Sequence, residues 1–257
     1  MTDTINTSCP KLKRVYGRIN DVKNDLSSER LIFMNVAYNK DCLTAMREFP
    51  DNYFDLACVD PPYGSALTSE VGGGKPWSRF GGRFDRYKES ITDWRNMGGE
   101  VRKKIIAWDV APGKEYFEQL FRISRNQVIW GGNYFDLPPT RCFLIWRKTN
   151  VPQDFTMAMA EYAWTSFNGN AKVFEFSAVG LPDRFHPSQK PVQLYEWIYG
   201  MFAKPSDKIL DTHLGSGSSR IAAYNMNLDF TGYEIDEAYF KKQEERFEKH
   251  VMQGKLF

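Results

Sequence analysis

Two patterns of apolar residues alternate along the chain. Mainly apolar runs predict buried strands at 31–36, 54–59, 127–130, 142–146, 208–210 and 230–233. Apolar residues at helical spacing predict helices around Leu43 and Met46, around Phe117 and Leu120, at 191–202, at 219–225 and at the charged C-terminus. Strands that alternate with helices form a largely parallel sheet covered on both faces, so the pattern predicts an α/β fold.

One end of the sheet is predicted to be different. Runs at 161–164 and 173–176 indicate two further strands, and Asn168-Gly169-Asn170 between them is a turn signal. We therefore expect these two strands to form a hairpin, which makes that end of the sheet antiparallel.

The domain organisation follows from the same pattern. Residues 1–30 are polar without a sustained apolar period and indicate an N-terminal arm, while 31–257 read as a single domain. The segment 64–105 is rich in Gly, Arg and aromatic residues and is too long for an ordinary connection. We interpret this segment as an insertion that binds something.

Composition narrows the class of protein only slightly. The chain has 257 residues, enough for one sizeable core, and a formal net charge of +2, which neither demands nor excludes a nucleic-acid partner. Its four cysteines are scattered without a CxxC pair, so no zinc site or disulfide scaffold is predicted. The sequence has no leader pattern and no apolar stretch that spans a bilayer, which predicts a cytoplasmic protein.

A glycine-containing loop follows the predicted strand at 208–210. In Asp211-Thr212-His213-Leu214-Gly215-Ser216-Gly217-Ser218-Ser219, a strand enters a glycine pair and then a helix, which lets a ligand approach bare backbone. Glu234 follows at the distance where an acid reaches a ribose diol in dinucleotide folds. The two features imply an adenosine moiety. A nicotinamide-dependent oxidoreductase stays open, although Arg220 stands where its fingerprint needs a small residue.

Three further motifs carry a family resemblance. Asp60-Pro61-Pro62-Tyr63 follows the strand at 54–59, His186-Pro187-Ser188-Gln189-Lys190-Pro191 precedes the glycine loop, and Gly232-Tyr233-Glu234-Ile235-Asp236 follows it. In this order the chain resembles the β-type, permuted, amino-methylating DNA methyltransferases, from about residue 31 to 247. It looks most like the compact adenine methyltransferases of phages and mobile elements. The resemblance implies a Rossmann-like S-adenosylmethionine-dependent methyltransferase fold.

The resemblance also implies roles for individual residues. The tetrapeptide Asp60, Pro61, Pro62 and Tyr63 would be catalytic. S-adenosyl-L-methionine would be bound by Asp41, His186, Ser188, Lys190, Asp211, His213, Gly215, Ser216, Gly217, Ser218 and Glu234. Among these, Ser188 and Lys190 would lie close to the cofactor carboxylate and Glu234 would hold the ribose. Asp41 has an equal alternative as an ordinary helix cap. No metal is expected.

The tetrapeptide is also intelligible from its chemistry. Methyl transfer to an exocyclic amine needs acceptors that hold the N–H groups while positive charge develops, and Asp60 and the Pro61 carbonyl provide two. The prolines remove competing donors and stiffen the backbone. Tyr63 offers a face on which a flipped base can stack. The acidic form, DPPY, indicates N6-adenine as the target in this family, with N4-cytosine and RNA adenine as alternatives.

Target recognition must lie outside the usual place, because only 165–185 is available for the recognition insert of β-type relatives. The segment after Gly64 offers cations and an aromatic residue for DNA binding: Lys75, Trp77, Arg79, Arg83, Arg86 and Lys88. The predicted partner is double-stranded DNA, without a membrane, and a homodimer is left open. A catalytically silent DNA-binding module is the remaining alternative, which turnover distinguishes.

Overall fold

The computed structural model describes residues 34–64, 109–151, 158–178 and 183–254. The predicted N-terminal arm and nearly all of the predicted insertion lie outside these residues, so the domain boundaries stay predictions. Within the described residues, no helix is long and apolar enough to cross a membrane.

The described residues contain eight strands and five α-helices. The strands are β1 (Asn35–Asn39), β2 (Phe54–Val59), β3 (Ser124–Trp130), β4 (Leu144–Lys148), β5 (Ala160–Thr165), β6 (Lys172–Phe176), β7 (Lys208–Asp211) and β8 (Asp229–Glu234). The helices are α1 (Cys42–Met46), α2 (Lys114–Ile123), α3 (Val192–Phe202), α4 (Ser218–Asn225) and α5 (Glu237–Gly254), with a 3-10 helix at Gly132–Tyr134. The predicted strands and helices are present, although β1 ends three residues later than the predicted run.

All eight strands form one sheet in the order β1-β8-β7-β2-β3-β5-β4-β6. Every neighbouring pair is parallel except the two that involve β5, which runs antiparallel to β3 and to β4. The largely parallel sheet with an antiparallel end is therefore confirmed.

The predicted hairpin between 161–164 and 173–176 is wrong. β4 lies between β5 and β6, so that Ile145 pairs with Tyr162 on one side and with Val173 on the other. β5 carries the buried residues Ala163 and Trp164 and lies inside the sheet, whereas β6 has no fully buried residue and takes the edge. Burial, rather than the local turn signal, therefore decides which strands pair.

Two apolar layers cover the two faces of the sheet. On β2, Leu56 and Cys58 belong to the layer that includes α3 and α4, while Ala57 and Val59 belong to the layer that includes α1 and α2. Alternate side chains of one strand thus point to opposite layers, and both layers are apolar. This explains why β2 reads in the sequence as a mainly apolar run, interrupted by Asp55.

The order of the strands positions the candidate site. β7 lies between β8 and β2, and in β2 and β7 Leu56 pairs with Ile209 and Ala57 with Leu210. The chain therefore leaves these two parallel strands at the same edge of the sheet. In open α/β sheets, ligands bind at such an edge, where neighbouring strands connect in opposite directions.

Candidate active site

Asp60 lies directly after β2, and only 12% of its side chain is exposed. Its Oδ1 atom accepts a hydrogen bond from the Tyr63 hydroxyl at 2.7 Å. Its Oδ2 atom accepts a hydrogen bond from the Lys190 ammonium. Pro61 is buried and Pro62 partly exposed, and neither has an N–H group that competes for the carboxylate. Two donors therefore fix the direction of the Asp60 carboxylate.

Lys190 lies between Asp60 and a second acid, Glu161 of β5. Its Nζ atom is 3.1 Å from Glu161 Oε2, and Lys148 Nζ is 2.6 Å from Glu161 Oε1. Burial opposes both charges, but Asp60 and Glu161 raise the pKa of Lys190 above its usual range. In the same way, Lys190 and Lys148 outweigh burial and lower the pKa of Glu161 to about 2. Lys190 and Glu161 are therefore both charged at neutral pH.

Two of these residues were not expected in this arrangement. The sequence predicts Lys190 near the cofactor carboxylate, whereas in the structure its ammonium contacts the tetrapeptide acid. Glu161 was not among the predicted site residues at all. The available signal was an acid inside a strand that otherwise reads as apolar, since charged residues are rarely buried without a partner.

Tyr63 is surrounded by other aromatic residues and by a glycine. It stacks on Tyr134 with ring centroids 4.9 Å apart, and it meets Phe135 edge-on at 6.2 Å. Gly131, with φ +66°, contacts the same ring. Burial raises the pKa of Tyr63, so its hydroxyl stays protonated and donates to Asp60. Tyr134 is 53% exposed, so the aromatic stack extends from Tyr63 to the surface.

The glycine loop after β7 is fixed by its neighbour β8. The Gly215 amide donates to Glu234 Oε2 at 2.9 Å, and the Asp236 amide donates to Glu234 Oε1 at 2.8 Å. Gly215 and Gly217 have φ of +52° and +74°, a conformation that favours glycine. Burial raises the pKa of Glu234. Glu234, predicted to hold a ribose, therefore also holds the loop in place.

Asp211 ends β7 and is completely buried beneath this loop. Its Oδ2 atom accepts from the Ser219 hydroxyl at 2.5 Å and its Oδ1 atom from the His213 amide at 3.0 Å. Burial raises the pKa of Asp211 to about 7, and the charges of Asp60 and Glu234 act in the same direction. A carboxyl group with this pKa is close to half ionised at neutral pH, and a cationic ligand beside it favours the ionised form.

His186 lies beside Gly215 of the loop, and Ser188 lies beside His186. A Cβ atom on Gly215 would be 3.2 Å from His186 Cε1, so the imidazole covers the loop backbone. The His186 ring meets Tyr239 edge-on at 4.4 Å, and its Nδ1 atom is 3.1 Å from the Ser188 hydroxyl. Burial lowers the pKa of His186 to about 4, so the ring is neutral at pH 7.

His213 and Asp41 have structural contacts of their own. His213 packs edge-on against Tyr116, burial lowers its pKa to about 4, and its Nδ1 atom lies 2.9 Å from the Thr212 hydroxyl. Asp41 is the N-cap of α1, and its Oδ1 atom accepts from the Thr44 amide at 2.8 Å. The cap interpretation of Asp41 is therefore correct, and its role toward a cofactor stays a proposal.

A further residue at the loop was missed from the sequence. Arg246 of α5 donates to the Ser216 carbonyl at 2.8 Å and to the Ser218 hydroxyl at 2.9 Å. The Ser218 hydroxyl is also 3.1 Å from that of Ser216. Arg246 lies in a helix that reads from the sequence as charged and exposed, so nothing in the local pattern distinguishes it.

The residues that flank the long segment between the tetrapeptide and α2 lie next to each other. The Gly64 amide donates to Asp109 Oδ1 at 3.0 Å, and a Cβ atom on Gly64 would lie 3.1 Å from the Ala111 nitrogen. The predicted DNA-binding residues belong to this segment and lie outside the described residues: Lys75, Trp77, Arg79, Arg83, Arg86 and Lys88.

The site has features that suit S-adenosylmethionine. Gly215 and Gly217 place no side chain over the backbone at the start of α4, and Asp211 places a buried carboxyl group beneath the loop. S-adenosylmethionine carries positive charge on its sulfonium and α-ammonium groups. A positive charge beside Asp211 favours the ionised form of its carboxyl group. Among the described residues, no group of three or more His, Cys, Asp or Glu side chains is placed to hold a metal ion.

Comparison with solved structures shows that the fold is shared with methyltransferases. The protein TTHA0409 of Thermus thermophilus, solved with S-adenosyl-L-methionine, has a TM-score of 0.51 at 17% identity, covering 85% of this chain and 95% of its own. The cytosine-N4-specific PvuII DNA methyltransferase also has a TM-score of 0.51, at 14% identity, covering 82% of this chain and 85% of its own. The chain therefore has the Rossmann-like methyltransferase fold.

The sequence comparisons show similarity to one class of methyltransferase. Residues 129–245 match the N6_N4_Mtase family, described as DNA methylase. The type II methyltransferase M.HpaI of Haemophilus parainfluenzae is 24% identical over 250 residues, which cover 86% of this chain and 74% of the relative. The type II methyltransferase M2.MboI of Moraxella bovis is 22% identical over 251 residues, covering 82% and 86%. The chain is therefore similar in sequence to DNA methyltransferases, and its second half is similar to the N6/N4 type that the motifs predict.

Proposed function

We propose that the protein transfers a methyl group from S-adenosyl-L-methionine to the exocyclic N6 of an adenine flipped out of double-stranded DNA. The observation that carries the proposal is the Asp60 carboxylate. Tyr63 and Lys190 fix its direction after β2, and the glycine loop follows the adjacent strand β7. A base amine and a methyl donor can therefore meet at one edge of the sheet.

On the target side, the tetrapeptide supplies acceptors and a stacking surface. Asp60 accepts one N–H of the target amine and the Pro61 carbonyl the other, which favours the positive charge that develops on nitrogen during transfer. Pro62 restricts the backbone so that these acceptors stay in position. Tyr63 and Tyr134 supply the aromatic surface against which a flipped base stacks.

On the cofactor side, the loop after β7 supplies the binding groups. S-adenosylmethionine brings the electrophilic methyl group on its sulfonium sulfur. Asp211 and the backbone of the glycine loop hold its methionine half, with His186 and Ser188 beside them. Glu234 orients its ribose and at the same time anchors the Gly215 amide. Asp41, His213, Ser216 and Ser218 complete the proposed cofactor set.

The choice of N6-adenine rests on the acidic tetrapeptide, because the resemblance links DPPY with adenine. N4-cytosine is the second candidate, and the structural likeness to the PvuII cytosine-N4 enzyme favours it. A DNA substrate implies that the protein works in the cytoplasm of a bacterial or phage-infected cell.

The test is to identify the methylated nucleoside. The purified protein is incubated with tritiated S-adenosylmethionine and unmethylated duplex DNA of mixed sequence, with an RNA sample in parallel, and the products are digested to nucleosides. We expect label in N6-methyldeoxyadenosine. Label in N4-methyldeoxycytidine would keep the class and overturn the base, label in RNA alone would overturn the substrate, and no label despite cofactor binding would indicate a silent module.

A further inference from the structure

Four charged side chains of alternating sign extend from the tetrapeptide into the antiparallel end of the sheet. In order they are Asp60, Lys190, Glu161 and Lys148, and we call them the charge row. Both lysines are almost fully buried, whereas Asp60 and Glu161 are 12% and 25% exposed. The row joins four separate parts of the chain: the residue after β2, β4, β5 and the segment before α3.

With its ammonium group, Lys190 contacts two carboxylates, those of Asp60 and Glu161. Its ammonium has three N–H donors, of which one faces Asp60 and one Glu161. Its Nζ atom also lies 5.2 Å from the centre of the Trp130 ring, whose face attracts a cation. Lys190 therefore faces both acids, Asp60 more closely than Glu161, and the negative charge of Glu161 offsets part of the positive charge that Lys190 presents near Asp60.

We propose that Glu161 is a positioning residue for methyl transfer, and that its charge holds the Lys190 ammonium so that Asp60 remains available to the target amine. The inference rests on the proposed function, because it needs a target amine at Asp60. Positive charge develops on that amine during transfer, which the Asp60 carboxylate favours and a neighbouring ammonium opposes. Without the negative charge of Glu161, Lys190 pairs with Asp60 alone and opposes the developing charge in full.

Charge and shape can be separated at this position. Glu161→Gln keeps the size of the side chain and an acceptor oxygen but removes the charge, whereas Glu161→Asp keeps the charge and shortens the side chain. If the charge of Glu161 matters, kcat follows the order wild type, Asp, Gln. We expect the Gln variant to lose roughly tenfold or more in kcat. If only packing or hydrogen bonding mattered, the Gln variant would be the better of the two.

The cofactor provides the second readout. The affinity for S-adenosylmethionine, measured by titration calorimetry, should stay within about twofold of the wild type in both variants, because tenfold would already indicate a lost interaction. A large loss of cofactor affinity at unchanged kcat would indicate that Glu161 supports cofactor binding, and it would overturn the inference. Glu175→Gln is the matched control, since Glu175 forms an exposed ion pair with Arg147 on the neighbouring strand.

A loss of activity in the Glu161 variants must be distinguished from a folding defect, and failure of the Glu161 proposal from failure of the proposed function. Circular dichroism reports folding, and if the Gln variant does not fold, the isosteric pair Glu161→Asp and Glu161→Asn makes the same comparison at the shorter length. A wild-type protein that transfers no methyl group to DNA overturns the proposed function itself. An active wild type with an equally active Gln variant, or Asn variant in the shorter pair, overturns only the role of Glu161.

Discussion

A Cβ atom placed on Gly131 would lie 2.1 Å from Cε1 of Tyr63. The absence of a side chain at the end of β3 therefore creates the space that the tetrapeptide tyrosine fills. Gly131 also has φ of +66°, where other residues are strained. The conformation and the close approach both require glycine, and together they fix the ring beside the Asp60 carboxylate.

Gly131→Ala should displace Tyr63 and reduce transfer. We expect a loss of about 10²-fold in kcat, because small displacements near reacting groups have effects of this size. Cofactor affinity should change little, since the glycine loop follows β7, which β2 separates from β3. Gly113→Ala is the control, because a Cβ atom at Gly113 would meet nothing within 4 Å. Equal activity of the two variants would show that the position of Tyr63 does not limit transfer.

Asp60→Asn should nearly abolish transfer while the fold and the cofactor affinity are retained. Asparagine preserves the shape but loses the charge that favours the developing cation, which predicts a fall of about 10²–10³-fold in kcat. Asp60→Ala should be as inactive and less stable, because among the described residues it leaves Lys190 with Glu161 as its one carboxylate partner. Single-turnover rates and calorimetric cofactor binding check both points. Near-normal turnover in either variant would remove Asp60 from the catalytic assignment.

Glu234→Ala should mainly weaken cofactor binding. The substitution leaves the amides of Gly215 and Asp236 without their carboxylate acceptor. Hydrogen bonds to a charged group contribute about 1.5–3 kcal/mol, so the Kd for S-adenosylmethionine should rise roughly 10–100-fold. At saturating cofactor, kcat should recover. A variant with unchanged Kd and reduced kcat would contradict the assignment.

The affinity for the cofactor should increase with pH, and Asp211 is the reason. Its pKa is raised by burial to about 7, so the carboxyl group is mostly neutral at pH 6 and gains its charge as the pH rises toward 8. A cationic ligand binds more tightly once that charge is present. Titrations between pH 5.5 and 7.5, below the usual α-amino pKa of about 7.7, should show Kd falling with pH. Asp211→Asn should bind weakly with a flat profile, and a slope retained in that variant would point to another group.

The same pKa predicts the opposite trend for the stability of the cofactor-free protein. A carboxyl group whose pKa is higher in the folded state than in the unfolded state stabilises the fold fully below the unfolded pKa of 3.8. This contribution is lost as the pH rises through about 7. Asp211→Asn should therefore gain stability relative to wild type at pH 8, as measured by urea denaturation. A wild-type curve that rises over the same range more steeply than that of the variant would contradict the assignment to Asp211.

The cations of the segment after Gly64 should contribute to DNA affinity. Replacing Arg79, Arg83 and Arg86 together with alanine should weaken binding and flatten its dependence on salt, because each phosphate contact releases counterions. The control replaces Arg125, Lys204 and Lys208, three cations at or before the amino ends of β3 and β7. If both triple variants show the wild-type salt slope, the segment does not bind phosphate.

The sequence predicted the fold where the signal was local. The runs that become β2, β3, β7 and β8 are mainly apolar because both faces of these strands are buried, and this pattern is visible without a structure. The pairing of β5 was not predictable in this way. The turn signal at Asn168-Gly169-Asn170 is local, whereas the insertion of β4 between β5 and β6 depends on burial at distant positions.

The candidate site also contains residues that local motifs predicted and residues that they did not. Motif residues such as Asp60, Asp211 and Glu234 were identified because their order along the chain resembles a family. Glu161 and Arg246 were missed because each acts on a residue far away in sequence, Lys190 in one case and Ser216 in the other. The partner of a buried charge depends on how the sheet brings its strands together, which no linear motif records.

The contact between Gly64 and Asp109 lies at the boundary between the segment 65–108 and the domain that carries the tetrapeptide. The amino-acid sequences of these two parts can evolve at different rates. Because the chain departs and comes back at the same place beside the tetrapeptide, a change in the length or sequence of 65–108 need not alter the register of any strand among the described residues. If this segment binds DNA, as its composition predicts, new DNA sequence preferences can arise in evolution by replacement of this one segment. The chemistry at Asp60 would be inherited intact.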